Sequence, residues 1–372
     1  MIKCAFRGRA VLSSTIVLGL VALSTFFLPQ PSSQALPIFS RRYNVPCETC
    51  HSVPPALNAF GLAFQANRFN WPGGHGPGRS SSLLAFPVSA MGIYSSFHDL
   101  TGNRTITDFQ NLQLFVSDGF HLGSLGDGGY FVDYVAAVKN GRAGEFGDAF
   151  LSLPVVRNHG QLSVTAGQFT PMMYQYDPLN SLTQSLPAAL TEAVDGFSFT
   201  NPGPGVRLDY FSNQGRDTAE GNYISVGVPF VGLLTTNSDS KVDGANGVFL
   251  QAFHRAGTAS LGLFGYDHSG HSIAGAMGTY HWRNKLYLVG AGQISHDEFG
   301  HTQVLSLEAD GILSSQFAVT GRLETMNGEQ SATFPVVGIT YYPFRPQVIR
   351  LAAETTQERA HRSYTIFVFA QL

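Results

Sequence analysis

From Leu83 to Leu372 the sequence consists of short stretches in which apolar and polar residues alternate, divided by clusters of Gly, Asn, Asp and Ser, with no long run of helical period. A period of two broken by turn residues is the pattern of antiparallel strands joined by turns. Tyr130, Val132, Tyr134, Ala136 and Val138 share one face of such a stretch, and Asp133 and Lys139 lie on the other. Phe317, Val319, Gly321 and Leu323 oppose Thr320, Arg322 and Glu324, and Ile349, Leu351 and Ala353 oppose Arg350 and Glu354. Charge falls on one face each time. That face either looks to water around a soluble sandwich or lines the lumen of a barrel whose apolar face meets lipid.

Charge content favours the barrel. Charged residues make up 13% of the chain, against roughly 25% in an ordinary soluble domain. The final stretch, Tyr364 to Leu372, sets Tyr364, Ile366, Val368, Ala370 and Leu372 on one face and resembles the terminal assembly signal of outer-membrane barrels. The expected fold class is therefore all-β, a transmembrane antiparallel barrel over 83–372. Counting stretches gives about 14 to 17 strands, and the even-number rule for single-chain barrels selects 16. Ala166 to Pro171, followed by Met172, Met173 and a Ser-, Pro- and Leu-containing run to Leu190, reads as a strand leaving the membrane into a loop that folds inward, as constriction loops do in porins.

The N-terminus indicates export. Lys3, Arg7 and Arg9 precede an apolar stretch from Ala10 to Leu28, and Ser33 and Ala35 supply the small residues of a cleavage site, so residues 1–35 read as a signal peptide. Cleavage after Ala35 removes Cys4 and leaves 19 basic against 25 acidic residues. Such a balance lacks the basic footprint of a nucleic-acid partner.

Both remaining cysteines fall in Cys47-Glu48-Thr49-Cys50-His51. Two thiols at this spacing can each form a thioether to a haem vinyl group, and the adjacent histidine then reaches the iron as proximal ligand. A disulfide, a thioredoxin-like redox pair and a zinc site compete. The redox pair lacks a βαβ context, and zinc lacks further ligands. The expected cofactor is one covalently bound haem c, attached at Cys47 and Cys50 and ligated by His51. After the motif, Leu57, Phe60, Ala63 and Phe64 recur at helical spacing and form an apolar face for a porphyrin. The haem segment and its Gly-rich connector, 36–82, are too short to enclose a haem without support, so the barrel is expected to complete the pocket.

A signal peptide, Leu36-Pro37-Ile38-Phe39-Ser40-Arg41-Arg42-Tyr43 before a single Cys-x-x-Cys-His, and a barrel running to the C-terminus together resemble the fused monohaem cytochrome-porins of bacterial outer membranes. The resemblance implies an outer-membrane electron conduit that oxidises extracellular Fe(II) and passes electrons to a periplasmic cytochrome, with outer-membrane lipid as its other partner. Two other functions remain open: a porin-like transport protein with a structural or sensory haem, and a peroxidase-like enzyme, which would need a distal acid-base residue. Met172, Met173 and His75 are the candidate distal ligands, ahead of Met91 and His98. Asp99, Asp133, Asp177, Glu192 and the run His296-Asp297-Glu298 offer oxygen ligands to a ferrous ion, and no Fe(II) site is assigned among them.

Overall fold

The computed structural model describes residues 37–73, 88–100, 104–138, 144–157, 160–176, 181–183, 185–213, 219–230, 247–283, 285–298, 300–328, 331–343, 349–358 and 361–371. The expected signal peptide and His75 lie outside them, as do Asp177, Lys139 and Leu372.

A small N-terminal unit comes first. It comprises helix α1 (Pro37–Tyr43), a two-stranded hairpin of β1 (His51–Val53) and β2 (Ala56–Leu57), and helix α2 (Ala59–Ala66). Sixteen long strands follow. The first eight are β3 (Val88–Asp99), β4 (Arg104–His121), β5 (Asp127–Val138), β6 (Glu145–Arg157), β7 (Gln161–Phe169), β8 (Gly203–Phe211), β9 (Gly221–Pro229) and β10 (Val248–Ala256). The second eight are β11 (Ala259–His268), β12 (His271–Trp282), β13 (Leu286–Asp297), β14 (Gly300–Ser314), β15 (Phe317–Asn327), β16 (Ala332–Tyr341), β17 (Ile349–Glu358) and β18 (His361–Gln371). Each pairs antiparallel with its neighbours, and β18 pairs with β3, so the sheet closes into a 16-stranded barrel with no free edge.

The alternation read from sequence sorts side chains as a lipid-facing barrel requires. Thr320, Arg322 and Glu324 point inward and are buried, while Leu323 between them is 48% exposed outward. Leu261, Leu263, Leu305, Leu307, Val337 and Ile339 extend the outward apolar surface. So much exposed aliphatic area belongs against hydrocarbon rather than water. No described helix is long and apolar enough to cross a membrane, and the strands make the crossing. Leu263→Arg, in the middle of β11 and 66% exposed, is expected to destabilise the barrel by about 2–4 kcal/mol if the site lies near the bilayer midplane. Urea unfolding in lipid vesicles measures that cost.

The two rims differ. At the rim carrying the start of β3 and the end of β18, connections run from two residues (315–316) to nine (212–220). The opposite rim carries the long connections, 170–202 and 230–247. Short turns face the periplasm and long loops the exterior, which orients the barrel.

Candidate haem site in the lumen

The N-terminal unit lies inside the barrel. Arg42 pairs with Asp118 of β4, Asn70 Nδ2 donates to the Gly128 carbonyl of β5 at 2.8 Å, and Arg68 Nε donates to Ser152 Oγ of β6 at 2.6 Å. On the far wall Ser52 bonds the Tyr287 hydroxyl of β13, and Tyr342 Oη, just past β16, donates to the Pro54 carbonyl at 2.6 Å. An aromatic ladder supplies the apolar contact. Phe39 stacks on Phe69 at 5.3 Å, Phe69 lies 5.8 Å from Phe131, and Phe131 stacks on Phe150 at 6.1 Å. Gly129 of β5 allows the close approach, because a Cβ there would stand 2.4 Å from the Arg68 carbonyl oxygen. Tyr287 and Tyr342 stand at the rim of short turns, so the unit is moored toward the periplasmic end.

Within the unit, local chemistry fixes the Cys-x-x-Cys-His segment. Cys47–Thr49 form one 3-10 turn, closed by Cys50 N donating to the Cys47 carbonyl at 3.0 Å. Asn58 joins this turn to α2. Its Oδ1 caps the helix by accepting from Gly61 N at 3.0 Å, and its Nδ2 donates to the carbonyls of Glu48 and Thr49 at 3.0 and 3.1 Å. An Asn before an apolar helical run is a recognisable N-cap, yet this double role is invisible in sequence. Gly61 lies against the motif so closely that a Cβ would stand 2.1 Å from the Cys50 carbonyl oxygen. Gly61→Val is therefore expected to push α2 off the motif and lower covalent haem per chain severalfold, as read by the pyridine haemochrome spectrum.

The side chains suit haem c. His51 Nδ1 bonds the Pro55 carbonyl at 3.0 Å, which fixes the ring and would leave Nε2 as the atom to ligate a haem iron. Burial lowers the His51 pKa, against the opposing effect of its backbone hydrogen bonds, so the ring is the neutral imidazole that iron requires. Burial first, and then the neighbouring Cys47, push the Cys50 thiol up to about 12. A thiol held protonated suits a thioredoxin-like redox pair poorly, because that chemistry needs a thiolate.

The connection 170–202, leaving β7 and entering β8, folds inward and lines much of the remaining wall. Leu182 O accepts from Thr340 Oγ1 and from Arg350 Nη2, Ala189 N donates to Ser306 Oγ of β14, and Phe197 stacks on Tyr266 of β11 at 4.2 Å. Helix α3 (Ala188–Thr191) forms part of it. At the outer rim Asp195 accepts from His271 Nδ1 at 2.7 Å and is 3.2 Å from His268 Nδ1. Burial alone would raise the Asp195 pKa, but the two histidine hydrogen bonds outweigh it and hold the carboxyl below its ordinary value. A depressed carboxyl stabilises the clasp above the carboxylate range, and that stabilisation is lost as pH falls through the Asp195 pKa. Asp195→Ala is accordingly expected to speed amide exchange over 194–199 at neutral pH and to abolish the acid-induced increase there.

The candidate distal ligands lie apart from one another. Met172 and Met173 are fully buried in the large aromatic cluster that also holds Tyr43, Phe64 and Phe69 of the N-terminal unit, and Val53, two residues after His51, packs in a second cluster with Leu182, Tyr287 and Tyr342. Met91 packs near Ile93 and Phe367, and the ring of His98 lies against Tyr364. Asp133 is buried on the inward face, Asp99 ends β3, Glu192 O accepts from Gln293 Nε2, and His296 stacks on His301. Among the described residues no three His, Cys, Asp or Glu side chains are placed to hold a metal ion.

No family model matches the sequence, and no curated protein matches it. Solved structures do match. Salmonella typhi OmpF in complex with daunomycin superposes with a TM-score of 0.59 at 12% identity, over 77% of this chain and 97% of that one. This is the porin fold. A variant of the Rh. blastica porin aligns with a TM-score of 0.52 at 11% identity, over 77% of this chain and 99% of that one. OmpT from Vibrio cholerae gives 0.52 at 9%, over 77% and 98%. The porin fold with an apolar outer belt places the protein in a Gram-negative outer membrane. These matches show the barrel fold alone, and nothing in them shows a haem segment.

Proposed function

We propose that the chain is a closed porin-fold conduit for electrons, in which the segment 37–73 carries one haem c in the lumen. The single observation that carries the reading is the moored Cys47-Glu48-Thr49-Cys50-His51 segment inside a filled barrel. Thr165, Asp209, Ser225 and Gln251 face the lumen and are fully buried, with Arg207 at 1% exposure. Lumen-facing side chains of a wide aqueous channel would instead be wet. A bound haem c would supply one-electron redox chemistry. The protein's own residues attach it through Cys47 and Cys50, orient His51 through Pro55, exclude water through the aromatic ladder, and present the motif toward the periplasmic mouth. Fe(II) outside the cell as donor and a periplasmic cytochrome as acceptor fit that placement and the resemblance to the cytochrome-porins.

The comparisons, which reach only to porins, favour the second reading, a porin-like transport protein with a structural or sensory haem. Anaerobic mixing of detergent-solubilised protein with Fe(II), followed by the haem spectrum, separates the two. The conduit gives a reduced haem, lost on replacing His51. A haem that stays oxidised at acidic and circumneutral pH overturns Fe(II) oxidation.

A further inference from the structure

At the periplasmic mouth a pocket opens between α2, the start of the inward loop, and strands β8 to β10. Leu62 and Ala66 of α2 form one side, Tyr174 the second, and Phe211, Tyr223 and Phe253 the third, with Arg68 and Arg255 both in the lining and no acid among the lining residues. Arg255 is 8% exposed, and no described hydrogen bond or ion pair reaches its guanidinium. Tyr174 is buried in the same lining, with the Arg68 and Arg207 guanidiniums over its ring at 5.7 and 5.2 Å. Asp209 of β8 is already taken by Arg207, Thr165 and Tyr223.

A buried guanidinium without an anion is costly, whereas Arg presents a planar fork of donors that matches a carboxylate. An apolar wall with two cations and a phenol at its edge suits a flat apolar ligand bearing carboxylates. We infer that this pocket is a carboxylate site built around Arg255 and Arg68, and that it receives the haem propionates, which rests on the haem reading above. The geometry is consistent with that source, since Gly61, beside Leu62 on α2, lies against Cys50.

The test uses the full haem-loaded chain in detergent, with Arg255→Gln and Arg255→Lys, and folding verified by heat-modifiable gel mobility. Redox titration across pH is expected to show a lower midpoint potential in Arg255→Gln, because a positive charge beside the haem is lost, and an altered pH at which the potential bends. Arg255→Lys should restore the potential in part. In parallel, succinate is titrated into Cys47→Ser/Cys50→Ser protein by calorimetry. Binding of succinate there that Arg255→Gln removes, with the haem potential unmoved, assigns the site to a free carboxylate and overturns the propionate assignment. An unmoved potential together with no succinate binding overturns the site altogether. If the purified chain carries no covalent haem, the haem reading fails, and the succinate titration alone decides the site: binding lost in Arg255→Gln upholds it, and no binding overturns it.

Discussion

A chain with Cys47→Ser and Cys50→Ser is expected to assemble as a heat-modifiable barrel and to carry no covalent haem, taking the pyridine haemochrome signal from about one per chain to none. The size of the effect follows from chemistry, since no other cysteine remains after cleavage at the expected site to form a thioether. Assembly should survive because the contacts that moor the segment, Arg42 to Asp118, Asn70 to Gly128 and Tyr342 to Pro54, do not involve either thiol. The singly substituted chains should retain haem through one thioether, with a shifted α-band. Full covalent haem in the double variant would contradict attachment at these residues.

Replacing Arg322 by leucine carries the largest expected loss of stability, about 3–5 kcal/mol, because it strands buried carboxylates. Arg322 Nη1 donates to Glu308 Oε2 at 2.8 Å, Nε lies 3.1 Å from Glu324 Oε1, and the guanidinium also holds the inward loop through the Ser185 carbonyl at 2.9 Å and Thr183 Oγ1 at 3.1 Å. Its side chain has no solvent exposure. The substitution therefore releases the loop and leaves Glu308 and Glu324 without their cation. Urea unfolding of the variant in detergent gives the loss, and amide exchange over 181–185 should quicken with it. Converting Glu308 and Glu324 to leucine in the same chain should recover most of the stability, since matched apolar replacement of a buried ion network is often neutral. A loss below about 0.5 kcal/mol, typical of a surface site, would contradict this role.

Much of the architecture is legible in the sequence. Period-two alternation with charge on one face gives strands and faces, because in a closed barrel the two faces meet different solvents, and the even-number rule for single-chain barrels narrows the count to 16. The outward side of β18 follows from Tyr364 and Ile366, yet Phe367 and Phe369 on the opposite face are also apolar and are buried inside. Alternation reports which face is lipid. It does not report that the other face is partly aromatic, because lumen residues answer to whatever fills the lumen. Phe131, between Val132 and the outward Tyr130, reads as an interruption of the charged face until Phe69 is seen against it.

The haem segment is legible as chemistry, through the spacing of Cys47, Cys50 and His51, but its supports are not. Asn58 acts through its side-chain amide, Pro55 through its carbonyl and Gly61 through its missing side chain, each several residues from the motif, and Arg68, Arg207 and Arg255 become meaningful only once the chain has closed on itself. Met172 and Met173 are candidate distal ligands in the sequence because they sit where a strand passes into a loop, and the folded loop buries them in one apolar cluster with Tyr43, Phe64 and Phe69 of the N-terminal unit and with Phe169, Leu190 and Phe199.

The most direct test is a vesicle experiment with the intact protein inserted in the membrane, an oxidised cytochrome c enclosed together with a small self-quenching dye, and reductant added only outside. A closed conduit reduces the enclosed cytochrome at a rate that depends on His51 while the dye stays inside. Rapid dye release with no reduction of the enclosed cytochrome beyond that in protein-free vesicles would instead identify an open pore and contradict the conduit.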